Sequence, residues 1–211
     1  MAYTQIEYEQ NTALLHPRAK ALVEASEVRF EDFYARKLNK RYPRYIASDP
    51  AQVYAAMQWV GKKGLVLGHR FLEWGSGFGL ATGLANILGY KACGIELRQG
   101  LVDIARSLLD EQGLKADFLC TSYIPEGYIN YETADGEDLV PDDSFGHKPN
   151  ANPCYIADGM EVEIGEIDLF YVYPWPGEQT LMLKLFDAVA TPDAILLAYY
   201  GDQELCIYRK L

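Results

Sequence analysis

The stretch from Phe71 to Gly89 constrains this chain more than any other. Phe71-Leu72-Glu73-Trp74 is a short apolar run holding one acid, and Gly75-Ser76-Gly77-Phe78-Gly79 then places three glycines in five positions. Leu80, Leu84, Ile87 and Leu88 follow on one helical face, and Gly89 stops them. Strand, glycine turn and helix in direct succession form the opening unit of a doubly wound α/β sheet, with the turn at the carboxyl end of a strand. Glycines at that place serve a ligand. Without β-carbons the backbone can come close to it, and the first N–H groups of the helix point toward it.

The rest of the chain keeps the same alternation. Ala92 to Ile95 reads as a second strand ending at Glu96, Gln99 to Gln112 as a helix closed by Gly113, and Asp117 to Tyr123 as a third strand. Ile167 to Val172, Ala194 to Tyr199 and a short Cys206 to Arg209 complete the strands, with a helix over Gly177 to Ala190 between the first two. Strands separated by helices of this length imply a mostly parallel sheet with right-handed crossovers. Two helices precede it, one over residues 17 to 41 and one capped by Ser48 or Asp49 with Pro50 in its first turn. The chain therefore reads as a single domain, 1 to 211, with a helical lead-in over 1 to 69 and a core over 70 to 211. Residues 124 to 166 break the rhythm. They are too long for a crossover loop and read as an insert, either a lid, another functional loop or a disordered segment.

Charge is uneven along the 211 residues, whose formal net charge is −11. Residues 1 to 70 hold 11 basic against 7 acidic side chains, including Arg36, Lys37, Lys40, Arg41 and Arg44 at helical steps. Residues 126 to 168 hold twelve acids against Lys148 alone, a surface that would repel nucleic acid and disfavours it as a partner. A hydrophobic share of 49% is that of an ordinary globular domain, and no run reaches the roughly 18 apolar residues of a membrane span. The amino terminus carries no leader pattern, so a cytoplasmic address is the expectation. Cys93, Cys120, Cys154 and Cys206 stand far apart and away from His16, His69 and His147, a spacing that suggests neither a metal site nor a disulfide framework.

Two acids narrow the ligand. Glu96, at the tip of the second strand, has the two acceptor oxygens that the cis-diol of a ribose requires. Glu73, just before the glycines, would repel a pyrophosphate and favour an ammonium group. Leu80 stands where a dinucleotide fingerprint wants a small residue, so an NAD-type oxidoreductase is disfavoured. Adenosine and an amino-acid ammonium together describe S-adenosylmethionine.

Phe71 to Gly79 followed by Gly94-Ile95-Glu96-Leu97 resembles the first two motifs of class I S-adenosylmethionine-dependent methyltransferases. The resemblance runs with less specificity over roughly residues 45 to 211. It implies a Rossmann-like sheet of order 3-2-1-4-5 with a short antiparallel strand at its end, and S-adenosylhomocysteine as product. It also implies that Gly75, Ser76, Gly77 and Gly79 wrap the methionine moiety, that Glu96 holds the ribose and that Leu97 packs on adenine. At the position where the family often has an adenine-binding Asp, this chain has Ser122 in Cys120-Thr121-Ser122-Tyr123. The lead-in Arg44-Tyr45-Ile46-Ala47-Ser48-Asp49-Pro50 looks like the segment that closes over the cofactor in certain lysine methyltransferases, which makes Tyr45 and Ser48 further cofactor-side candidates.

The family's acceptor-facing motif corresponds to Asp168 through Pro176. Tyr173-Pro174-Trp175 departs from the amide-Pro-Pro-aromatic pattern of amine-directed members at its first position. Candidates on the acceptor side are Tyr173 as a hydrogen-bonding group, Trp175 as an aromatic wall, Tyr123 and Asp168. The expected activity is methyl transfer to a small molecule or protein side chain, with a slight preference for an amine. The alternative is a catalytically silent cofactor-binding or scaffold protein.

Overall fold

The computed structural model describes residues 2–10, 12, 14–125, 128–129, 140–141, 153–200 and 204–211. The strands are β1 (Tyr3–Ile6), β2 (Arg70–Trp74), β3 (Lys91–Glu96), β4 (Asp117–Cys120), β5 (Tyr128–Ile129), β6 (Val140–Pro141), β7 (Cys154–Ala157), β8 (Met160–Glu163), β9 (Leu169–Val172), β10 (Ile195–Tyr199) and β11 (Leu205–Lys210). The helices are α1 (Pro17–Ala35), α2 (Pro50–Lys62), α3 (Leu80–Ile87), α4 (Gln99–Glu111) and α5 (Gln179–Val189). Seven strands form one sheet in the order β1-β11-β10-β9-β2-β3-β4. The five from β4 through β10 pair in parallel, and their order is the predicted 3-2-1-4-5. The chain leaves β2 toward β3 on one side and comes back at β9 on the other. A crevice opens between β2 and β9 at their carboxyl ends, the place where doubly wound sheets bind ligands.

The sheet is buried on both faces, as its nearly unbroken apolar strands require. Phe71, Leu169 and Leu197 face α1 to α4, whereas Leu72, Trp74 and Phe170 face α5 and Tyr155 of β7. The period of two along β2 thus sends Glu73 to the side of α3.

The amino terminus supplies a strand that the sequence reading missed. β11 runs antiparallel to β10, and β1 pairs antiparallel to β11 from Tyr3↔Lys210 to Ile6↔Ile207. Leu211 N–H donates to the Ala2 carbonyl at 2.8 Å. The edge beside β11 is therefore covered by the chain's own first residues rather than by the lead-in helices or a partner. Four residues alternate too briefly to announce a strand, and only the hairpin partner at the far end of the chain defines it.

Two lead-in expectations change. α1 ends at Ala35 instead of near Arg41, because Lys37 takes a left-handed φ of 58° and a short 3-10 turn follows over Leu38–Lys40. The five basic residues consequently belong to different elements and form no single helical face. Asp49 caps α2, accepting from Ala51 N–H at 2.8 Å and Gln52 N–H at 3.2 Å, which leaves Ser48 for another contact. In the insert, Met160-Glu161-Val162-Glu163 alternates apolar and acidic residues and forms the strand β8, paired with β7. Most of the remaining insert, with Tyr131 and Phe145, lies outside the described residues. Among the described residues no helix is long and apolar enough to cross a membrane, and no group of three or more metal-ligating side chains comes together.

Candidate cofactor site

All three glycines of the turn adopt left-handed backbone, with φ of 73° at Gly75, 51° at Gly77 and 71° at Gly79. That conformation costs any other L-residue roughly 1–2 kcal/mol. Two of them are also close-packed. A β-carbon on Gly79 would stand 2.5 Å from the Phe118 ring, and one on Gly77 would stand 2.5 Å from the ring of Tyr45. Gly75 and Ser76 both donate N–H to the Ile95 carbonyl at 2.9 Å, fastening the turn to the end of β3.

Glu96, at that end, ties the turn from the other direction. Its Oε2 accepts Gly77 N–H at 3.1 Å and its Oε1 accepts Arg98 N–H at 2.9 Å. The carboxylate is thus oriented before any ligand arrives, which reduces the ordering cost of binding.

Glu73 has a different place. It is buried, and its Oε2 accepts Thr82 N–H at 2.8 Å and Thr82 Oγ1–H at 2.5 Å. α3 begins after Gly79, which has no side chain to cap it, so the acid on β2 satisfies the orphan donor instead. Burial outweighs these bonds and pushes the Glu73 carboxyl up to about 8.

Above the turn lies a cavity of about 570 Å³ at the carboxyl ends of β2, β3 and β9, within the range of small-ligand sites. Gly75, Gly77, Glu96 and Leu97 line one side, and Tyr173, Trp175 and Glu178 the other. The lead-in from Arg41 to Ile46 forms the remaining wall. Its Tyr45 ring stacks on Phe78 at 4.1 Å between centroids, and Phe33 of α1 meets the same Phe78 edge-on at 5.4 Å. Arg44 crosses to the loop after β9, pairing with Glu178 and lying 5.2 Å from the Trp175 ring centroid.

No family model and no curated protein matches the chain. Solved structures do. The chain is similar to an RNA methyltransferase from Salinibacter ruber in complex with S-adenosyl-L-homocysteine, at 16% identity and a TM-score of 0.49, over 78% of this chain and 92% of that one. A hypothetical protein of Thermus thermophilus gives 12% identity and a TM-score of 0.50, over 80% and 95% of the two chains. A tRNA (uracil-54, C5)-methyltransferase of Pyrococcus abyssi, in complex with S-adenosyl-L-homocysteine, gives 15% and 0.44 over 76% of this chain, which spans only 31% of that protein's length. The fold is a Rossmann-like, doubly wound α/β sheet of order 3-2-1-4-5 with β11 antiparallel at its end. At these identities the likeness is one of fold, and the acceptors named for those proteins remain theirs.

Within this fold the residues singled out by sequence separate into two groups. Gly75, Gly77, Glu96, Leu97 and Tyr45 line the cavity, as do Tyr123, Tyr173 and Trp175. The others do not. Glu73 lies beneath the turn as the cap of α3, so it does not present its carboxylate to an ammonium in the cavity. Ser76 is buried with a hydroxyl that has no partner among the described residues, and Gly79 is held against Phe118. Ser122 is exposed and accepts Ile124 N–H at 3.1 Å, while its neighbours Thr121 and Tyr123 reach the cavity. Ser48 Oγ accepts the Tyr171 hydroxyl at 2.8 Å and so anchors the lead-in to β9.

Asp168 is a correction. It accepts Arg70 N–H at 2.9 Å at the amino ends of β2 and β9, the end of the sheet opposite the cavity, and takes no part in an acceptor site there. Conversely, the sequence reading passed over Arg41, Arg44 and Glu178 as cavity residues. Arg44 carried a charge signal and headed the lead-in segment, but was given no role at the cavity. Glu178 stands five residues beyond Tyr173 as the N-cap residue of α5, at the start of the expected helix, where the helical period does not say what its side chain meets.

Proposed function

We propose that this protein is an S-adenosylmethionine-dependent methyltransferase acting on a small molecule or protein side chain. One observation carries the reading: a bare left-handed glycine turn and a pre-oriented carboxylate, Glu96, open together into one cavity at the topological switch point. The residues present suit the cofactor. Gly75 and Gly77 offer backbone for the methionine part, Glu96 acceptors for the ribose and Leu97, 61% exposed at the cavity wall, an apolar face for adenine. Tyr45, on its strap over Gly77, closes the cofactor side, and Tyr173 and Trp175 form the acceptor side.

S-adenosylmethionine supplies an electrophilic methyl group when bound, so the chain's contribution is to orient the acceptor and exclude water. The charge-based case against nucleic acid rests mainly on the acidic insert, most of which lies outside the described residues, and nucleic acid is therefore not set aside as acceptor.

The test is ligand-induced stabilisation. At 100 times its dissociation constant a ligand adds about 2.7 kcal/mol, which raises the Tm of a domain this size by roughly 5–11 °C. S-adenosylhomocysteine is expected to give that shift, NAD none, and Glu96→Ala is expected to lose most of it. A shift with NAD and none with S-adenosylhomocysteine overturns the proposal. Turnover of cofactor labelled in its methyl group, across metabolite and protein extracts, separates an enzyme from a silent binder.

A further inference from the structure

On the acceptor side of the cavity, two groups that suit a cation flank one point. The Glu178 carboxylate pairs with Arg44 and the Trp175 ring lies 5.2 Å from the Arg44 guanidinium carbon, with Tyr123 lining the same cavity. A carboxylate beside an aromatic face is how a desolvated ammonium or guanidinium is held. The occupant comes from the lead-in strap, which has no regular structure between the 3-10 turn and α2. Its side chain is 60% exposed, whereas that of Glu178 is 26% exposed. The receiving carboxylate thus belongs to the cavity wall, and the guanidinium enters from solvent. Of the other two cationic side chains at the cavity, Arg41 lies over the Tyr42 ring at 5.4 Å, and Arg98 belongs to the cofactor side, where its backbone N–H donates to Glu96.

We infer that Arg44 is an internal stand-in for a cationic recognition group of the methyl acceptor: an ammonium or guanidinium on the acceptor displaces Arg44 from Glu178 and Trp175, and the methyl goes to a neutral, nucleophilic atom of the same acceptor. This rests on the methyltransferase reading and narrows it to a cationic acceptor class. Arg44 then lowers the apparent affinity for the acceptor by the fraction of time it fills the site. Glu178 and Trp175 are acceptor-binding residues, and the strap that shuts the cavity also guards it.

The probes are n-butylammonium, n-butylguanidinium, and five-residue glycine peptides with lysine, arginine or glutamate at the centre. Each is titrated against the ¹⁵N-labelled full chain while the Trp175 indole N–H signal is followed, assigned with Trp175→Phe. The cations are expected to bind Arg44→Gln about tenfold more tightly than the native protein, and to bind neither Glu178→Gln nor the double variant. Arg44→Lys, which keeps the strap's charge, is expected to gain less and serves if Arg44→Gln does not fold. Tighter binding of the lysine or arginine peptide than of the free cations assigns the acceptor to a protein side chain, and equal binding assigns it to a small molecule. Cation affinity that does not rise in either Arg44 variant, or a gain for the glutamate peptide instead, overturns the inference. The titrations need no cofactor, so failure of S-adenosylhomocysteine to bind would strike the methyltransferase reading separately.

Discussion

Glu73 shows how one buried carboxyl can serve the framework of a site rather than its ligand. Its proton is retained because burial disfavours the charged form more than the two Thr82 bonds favour it, and its folded-state value lies near 8 against 4.5 for the exposed group. In the window between those values the folded protein binds the extra proton, so this group makes stability fall as pH rises from about 4.5 through 8. Glu73→Gln keeps an oxygen for Thr82 and removes the titration. The expected outcome is that the difference in unfolding free energy, variant minus native, increases with pH over that window, measured by urea denaturation at several pH values. A difference that does not change with pH would show that Glu73 is charged in the folded state. At the same scale, the place of Glu96 at a strand tip is legible in sequence. That of Glu73 is not, because an acid before a glycine turn looks alike in sequence whether it points into the cavity or under the turn. Only the facing of β2, which puts Glu73 on the α3 side, decides between them.

The element whose role is clearest in energetic terms is β1. It covers the free backbone groups of β11, and it is pinned at its start, where Ala2 N–H donates to Asp187 Oδ1 at 2.8 Å while Lys210 Nζ reaches the same oxygen at 2.7 Å. An uncovered edge strand is a template for pairing with another chain. Deletion of residues 2 to 6 is therefore expected to lower the Tm and to produce concentration-dependent association, read by sedimentation velocity at two protein concentrations. A monomer of unchanged Tm would show that β1 contributes nothing. The parallel strands, two of them only four residues long, were legible because each stands in a regular alternation with a helix of clear apolar period. β1 and β7 lie outside that alternation, and their identity depends on partners.

At the scale of the molecule, the lead-in and the sheet are not separable. α1 buries Leu22 and Phe33 against α3 and the glycine turn, Tyr45 rests on Phe78, and β1 closes the far edge. Burial of a single large apolar side chain stabilises by about 1.5–3 kcal/mol, and total stability is of order 5–15 kcal/mol. The fragment 70–211 is thus expected not to fold cooperatively, showing a weak near-UV circular dichroism signal and strong binding of an apolar dye where the full chain shows the reverse. A cooperative melt of the fragment would make the first 69 residues an appendage. What the sequence determined by itself was everything written in local spacing: the strand and helix periods, the glycine turn and the acid at the tip of β3, while the strand order came with the family resemblance those motifs carry. The tertiary structure alone decided which end of the sheet Asp168 occupies, which strand seals the edge, and that Arg44 meets Trp175 and, across 134 residues of chain, Glu178. The reason is physical: periodicity reports which face of its own element a side chain occupies, whereas a site is assembled from the ends of several elements, and those meet only when the whole core has packed.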